Sequence, residues 1–194
     1  AEATLNNVRE SLHIASGRGK DRLLFQEQDK VASLLKYSDA DAMMSDVARA
    51  ARSVDFLLNY TWHALEHKAS DGISRILRRD RVATVAKNVS ASNREISIDP
   101  LNSLDEDPVV GLRAAATAAQ LGLPLALDSC TELAARLKSG EGKLSNPWPE
   151  EARELLITLI GAGETMVGIF ESLDQEEIIF EWIPEWLSVR SLPQ

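Results

Sequence analysis

Cysteine is nearly missing: Cys130 is the only one in 194 residues. A single thiol excludes an internal disulfide and fits a reducing, cytoplasmic compartment. Aromatic residues make up only 5% of the chain, and four of the ten are tryptophans. β-Branched runs are few, while Ala and Leu abound, which favours helix over sheet. No apolar run approaches the roughly 20 residues of a membrane-spanning helix, so no membrane partner is expected. No charged-then-apolar leader opens the chain, so a secretory signal is not expected. The initiator Met is also missing before Ala1, and Pro193–Gln194 close the chain without a tapering polar tail. The expectation is a piece of a longer protein.

Positive charge is the other shortage. The chain has 21 Lys and Arg against 30 Asp and Glu, a formal charge of −9. The deficit lies after residue 81: residues 1–81 hold 13 basic and 12 acidic side chains, residues 82–194 hold 8 and 18. An acidic chain repels phosphate backbones, so nucleic acid is not an expected partner. Any anion site belongs in the first part.

What is present reads as helix. With 44% hydrophobic residues a packed core is available. Leu5, Val8, Leu12 and Ala15 repeat at helical spacing, and Gly17 and Gly19 end that segment. Asp21 is expected to cap a second helix carrying Leu24, Val31, Leu34 and Leu35 up to Tyr37. Ser38 or Asp39 opens a long third helix whose stripe is Met43, Val47, Ala51, Val54, Leu58, Trp62 and Leu65, with a break near Gly72. Arg81 to Asp99 changes texture. Val82, Val85 and Val89 precede "SASNR", read as a turn, and Ile96 and Ile98 alternate after it, so a β-hairpin is expected. Then "DEDPVVGLRAAATAAQLG" has an acidic cap, Pro108 in the first turn and Gly122 as a stop. Further helices start at Asp128 or Ser129 and at Pro149–Glu151, and another carries Met166, Val167, Phe170 and Leu173. Asp174 and Glu177 have the spacing of a capping box before Ile178 and Trp182. The fold class is mainly α: a helical bundle of about seven to eight helices with a short hairpin near 82–98, divisible into a three-helix part, 1–81, and a hairpin-plus-helix part, 82–194.

The chemical-looking motifs are weak. "GRGKD" is not a phosphate loop, because Ile14 and Asp21 stand where glycine and Ser/Thr are required. The basic residues around it are read as a solvated turn that opens a helix, where an anion can sit. His63 and His67 in "HALEH" share a helix face and could grip zinc, but no recognisable third ligand accompanies them, so they are read as surface decoration. Arg75, Arg78, Arg79 and Arg81 are read as pairing with nearby acids. Asp105 to Asp107 are accounted for as acids at a helix start, not as a calcium loop. Cys130 and the Trp182–Trp186 pair are read as packing residues.

Two stretches carry a resemblance. "VRESLHIASGRGKDRLLFQEQDKVASLL" resembles the opening of the helical domain of the bifunctional PII uridylyltransferases, at Arg9, Leu12, His13, Gly17, Arg18, Asp21, Leu23, Phe25 and Gln28. "IPEWLSVRSLPQ" resembles the segment before that family's HD domain, at Pro184, Glu185, Trp186, Val189, Arg190, Pro193 and Gln194. "DPVVGLRAAATAAQLGLPLA" resembles the family's middle helix, and the alanine-rich texture is most similar to actinobacterial members. The resemblance implies a multidomain parent. One domain transfers UMP or AMP to the signalling protein PII with Mg²⁺ and a nucleoside triphosphate. An HD domain removes the modification, and further domains sense glutamine. The transferase signature, a Gly-Ser turn followed by paired aspartates, is missing here. The resemblance therefore implies the intervening helical domain: no catalytic or metal-binding residue, no cofactor of its own, and the neighbouring domains and PII as partners. Arg9, His13, Arg18 and Arg22 are its candidate nucleotide-facing or interdomain residues. The helical region of glutamine synthetase adenylyltransferase and a free-standing helical adaptor are the competing readings.

Overall fold

The structure, a computed structural model, describes residues 1–17, 19, 21–74, 82–92 and 94–190; the side chains of residues 63–64 and 66–74 fall outside the description. The described residues form nine α-helices and a three-stranded sheet, so the chain is mainly α. They divide into two units, Ala1–Ala64 with Glu185–Gln194, and Leu65–Pro184.

The first unit is built on α1 (Glu2–Ser16), α2 (Phe25–Leu34) and the start of α3 (Ala40–Ser74). Val8 and Leu12 of α1, Val31 and Ala32 of α2, and Met43 of α3 are buried together. Their helical spacing turns one face of each helix inward. Ala15, Leu23, Leu35, Tyr37, Met44 and Val47 pack around them. Gly17, at φ 63°, ends α1 and donates its N–H to the His13 carbonyl at 3.0 Å. Asp39 caps α3, its carboxylate accepting the Ala42 N–H at 2.7 Å. The α3 stripe is buried only at its start. Met43 is fully buried, but Leu58 and Trp62 are 64% and 66% exposed. The helix also continues through Gly72 to Ser74 without the expected break.

The second unit is organised by α4 (Val110–Leu121), flanked by α6 (Glu150–Ile160), α7 (Glu164–Gln175) and the sheet. Ala114, Ala115, Ala116, Ala118 and Ala119 are all buried. Small side chains on several faces let neighbours approach on each side, which explains the alanine-rich sequence. Gly111 shows the same requirement: a Cβ there would lie 2.7 Å from Leu133 Cδ2 and 2.8 Å from Trp182 Cζ2. Gly122, at φ 63°, ends α4 as expected. α5 (Leu127–Ser139) adds Cys130, Leu133, Ala134 and Leu137 to the core. Two short helices follow, α8 (Ile178–Trp182) and α9 (Trp186–Val189), the latter falling in the first unit.

The hairpin is an antiparallel meander of three strands: β1 (Ala83–Ala86), β2 (Val89–Ser92) and β3 (Glu95–Ile98). Only the end of "SASNR" serves as a turn between two strands. Val89 pairs with Ile98 and Ala91 with Ile96, so Ser90 and Ser92 lie inside β2. The turns sit at Asn88, φ 57°, before β2, and at Arg94, φ 62°, the last residue of that run. Val89 and Ile96 are fully buried. Residues 124–126 add a parallel bridge to β3: Ile96 N–H donates to the Pro124 carbonyl, and Ala126 N–H to the Ile96 carbonyl.

Candidate functional site

The basic turn of the first unit lies between α1 and α2. Arg9 and His13, four apart, share one face of α1. Arg9 is exposed and donates to Asn6 Oδ1 at 3.3 Å. His13 is half-buried, and its Nε2 lies 3.0 Å from Asp21 Oδ1. Asp21 therefore does not cap α2, as the sequence suggested; it folds back and ties the turn to α1. α2 starts four residues later, where Glu27 accepts the Leu24 N–H at 3.2 Å. Lys30 closes the hairpin by donating to the Ala15 carbonyl at 2.6 Å. A cation at the carbonyl end of a helix is favourably placed. Arg22 is exposed beside Asp21. Arg18 lies outside the described residues. Ile14 and Phe25, 72% and 88% exposed, flank the turn. The arrangement presents cations and apolar side chains to solvent from a pinned turn; among the described residues it assembles no nucleophile with a base.

The strongest polar assembly in the second unit was not foreseen. Asp107 and Arg113 are buried, and the guanidinium grips the carboxylate at two points, 2.6 and 3.2 Å. Arg113 also donates to Glu151, from Nε at 3.0 Å and from Nη2, and to the Lys87 carbonyl at 3.2 Å. These five bonds use all five guanidinium donors. Asn88 adds a donor to Asp107 at 2.8 Å. Burial pushes the Asp107 carboxyl up, but the bonds from Arg113 and Asn88 and the Arg113 charge outweigh it and hold it below its ordinary range. With every donor engaged, Arg113 has none left for a ligand. The assembly fastens the β1–β2 turn, α4 and α6 together. Of the acids read as helix-start residues, Asp105 and Glu106 do stand in the first turn of a short 3-10 helix, Leu104–Glu106, and Asp105 also accepts the Gly142 N–H at 2.7 Å; the reading is corrected for Asp107, a buried ion-pair partner. One sequence signal did exist, namely a lone arginine inside "GLRAAATAA". A buried arginine needs a carboxylate.

A second clasp joins α5 to the loop before α4. Arg136 donates to Glu141 at 2.8 Å and to the carbonyls of Leu101 and Asn102. Glu141 also accepts the Leu104 N–H at 3.0 Å. Beside it is a concavity of about 20 Å³, lined by residues that include Asp99, Ser129 and Arg136. That volume suits about one water, not a nucleotide.

The remaining sequence candidates divide. Cys130 is buried, and burial pushes its thiol up to about 12. Trp182 is buried against Gly111, as a packing residue should be. Asp174 does not begin a capping box; it is buried within α7, and Glu177 has φ 64°. The side chains of His63 and His67, and Arg75, Arg78, Arg79 and Arg81, lie outside the described residues. Among the described residues, no group of three or more His, Cys, Asp or Glu could hold a metal ion, and no single helix is long and apolar enough to cross a membrane.

Residues 1–62 match the family model described as GlnD PII-uridylyltransferase. Across its whole length the chain is 36% identical to the bifunctional uridylyltransferase/uridylyl-removing enzyme of Streptomyces coelicolor and 32% identical to that of Mycobacterium tuberculosis. It covers 24% of each of these relatives. The enzyme of the same name from Stutzerimonas stutzeri is 47% identical over 45 residues, 23% of this chain and 5% of that protein. No solved structure matches the chain. The chain spans about a quarter of the length of the two relatives it matches throughout, and over its whole length it is similar to that part of the bifunctional uridylyltransferase/uridylyl-removing enzymes.

Proposed function

We propose that the chain is the helical domain between the nucleotidyltransferase and HD domains of an enzyme that adds UMP or AMP to PII and removes it again. The observation that carries this reading is the similarity over the whole chain to two enzymes named for both activities, of which it is a quarter. The domain positions its neighbours and supplies no catalytic residue. Mg²⁺ and the nucleoside triphosphate belong to the transferase domain. The pinned α1–α2 turn supports the rest of the reading. The His13–Asp21 contact fixes the loop, with Arg22 exposed on it and Arg9 exposed on α1 beside His13. In the longer protein this turn, with Arg18, faces the nucleotide or the adjoining domain.

The test is transfer of labelled UMP and AMP to PII. The chain alone should transfer neither, and robust turnover by it would overturn the assignment. In the longer enzyme, Arg22→Ala should raise the nucleotide KM about tenfold and leave kcat and the melting temperature alone, as loss of one charge-assisted contact to phosphate predicts. An unchanged KM would return the turn to a solvated role.

A further inference from the structure

Residues 150–185 contain ten carboxylates and one base, Arg153. Part of this charge is used internally. Glu151 meets Arg113, Glu177 meets Lys138, and Asp174 is buried. Glu150, Glu154 and Glu164 are exposed and have no ion-pair partner among the described residues.

The same stretch exposes large aliphatic side chains. α6 turns Ala152 and Leu159 inward, and Leu155 and Leu156 are half-buried, so its inner face is filled. Ile157 and Ile160 face outward, 70% and 53% exposed. The chain then turns at Gly161–Gly163, and the α7 axis departs from that of α6 by 118°. In the first turn of α7, Val167 is 61% exposed. A Cβ added at Gly163 or Gly168 would meet nothing within 4 Å. Three exposed branched side chains thus lie on the two helices that meet at this glycine-rich corner. Glu154 lies one turn before Ile157, Glu164 lies between Ile160 and Val167, and Glu171 follows Val167 by one turn.

We infer that this α6–α7 corner docks a protein partner whose aliphatic side chains are ringed by Lys and Arg. The charge selects the occupant. A second copy meeting the corner symmetrically would set Glu154 and Glu164 against themselves, and like charges across an interface are costly. Nucleic acid is repelled for the same reason. A basic rim is attracted and steered, and the aliphatic centre then buries what the corner leaves in water. The exposed Leu57, Leu58 and Trp62 of α3 lack this signature. Asp55 is the only charged residue from Ser53 to Leu65, so nothing there selects a partner by charge.

The experiment is a methyl-NMR titration of the whole chain with three short helical peptides, made of Leu and Lys, of Leu and Glu, and of Ser and Lys. The Leu–Lys peptide should shift the methyls of Ile157, Ile160 and Val167 saturably, more weakly at high salt, and the other two should not. The double substitution Ile157→Ser, Val167→Ser keeps the net charge and removes only exposed side chains. It should weaken binding about tenfold with an unchanged thermal melt, as loss of an apolar anchor predicts. Shifts centred on Leu57 or Ile14 would overturn the inference. So would equal binding of the Ser–Lys peptide, or a double variant that binds like the parent.

Discussion

The Arg113 guanidinium holds the Asp107 carboxylate by two bonds, with both side chains buried. Removing one partner leaves the other charge in the interior without compensation. Arg113→Ala should therefore cost on the order of 3 kcal/mol, seen as a lower urea midpoint at an unchanged slope. Glu151→Ala removes the half-exposed end of the same assembly and should cost under about 1 kcal/mol. Equal losses would mean that burial does not separate the two contacts.

Acid should loosen the second unit. Burial raises the Asp107 carboxyl, but Arg113 and Asn88 outweigh it and bring it below 3.8; the Leu104 N–H and then Arg136 lower that of Glu141 below 4.5. A carboxyl held lower in the folded state stabilises fully above its unfolded pKa. That stability is lost as pH falls through the folded value. Melting temperatures should hold steady from neutral pH to the upper edge of the carboxylate range and then fall. Asp107→Asn should flatten the acid limb. A variant with the parent's slope would remove Asp107 as the cause.

Two glycines should respond to alanine in opposite directions. At Gly111 the new methyl would press on Leu133 and Trp182, and overpacking of this kind costs about 1–3 kcal/mol. At Gly168, inside α7, it would meet open space and gain about 0.5–1 kcal/mol of helix stability. Thermal melts of the two variants should shift to opposite sides of the parent.

Cys130 should be silent to thiol reagents in the native chain. It is 3% exposed, and burial pushes its thiol up to about 12, so little thiolate forms at pH 8. Reaction with an aromatic disulfide should follow global unfolding. Fast labelling of native protein would show that α5 opens locally.

Much of the fold is legible because local chemistry determines it. Gly17, Gly122 and Gly140 end helices at positive φ, and Asp39 caps α3. Elsewhere one residue type serves two purposes. Asp21 looks like a cap but is drawn to His13, and Asp174 looks like a cap but is buried in α7. The whole of "SASNR" suggests a turn, yet only its end at Arg94 turns, because Val89 and Ile96 pull the two serines into strand. The α3 stripe shows a helix but not how far its neighbours extend. Arg113 and Glu151 are 38 positions apart, and no local pattern encodes that contact. The first-unit turn is recognisable by its residues, whereas the α6–α7 corner emerges only once Leu159 and Ile157 are known to face opposite ways.

The order in which the units appear along the chain also shapes synthesis. The first unit begins with Ala1–Ala64 and is completed only by Glu185–Gln194. A ribosome spends on the order of ten seconds making the intervening residues. During that time α4, its flanking helices and the sheet can assemble with their own buried core, while α1, α2 and the start of α3 wait for their last segment. The unit whose sequence starts first is the one whose translation finishes last.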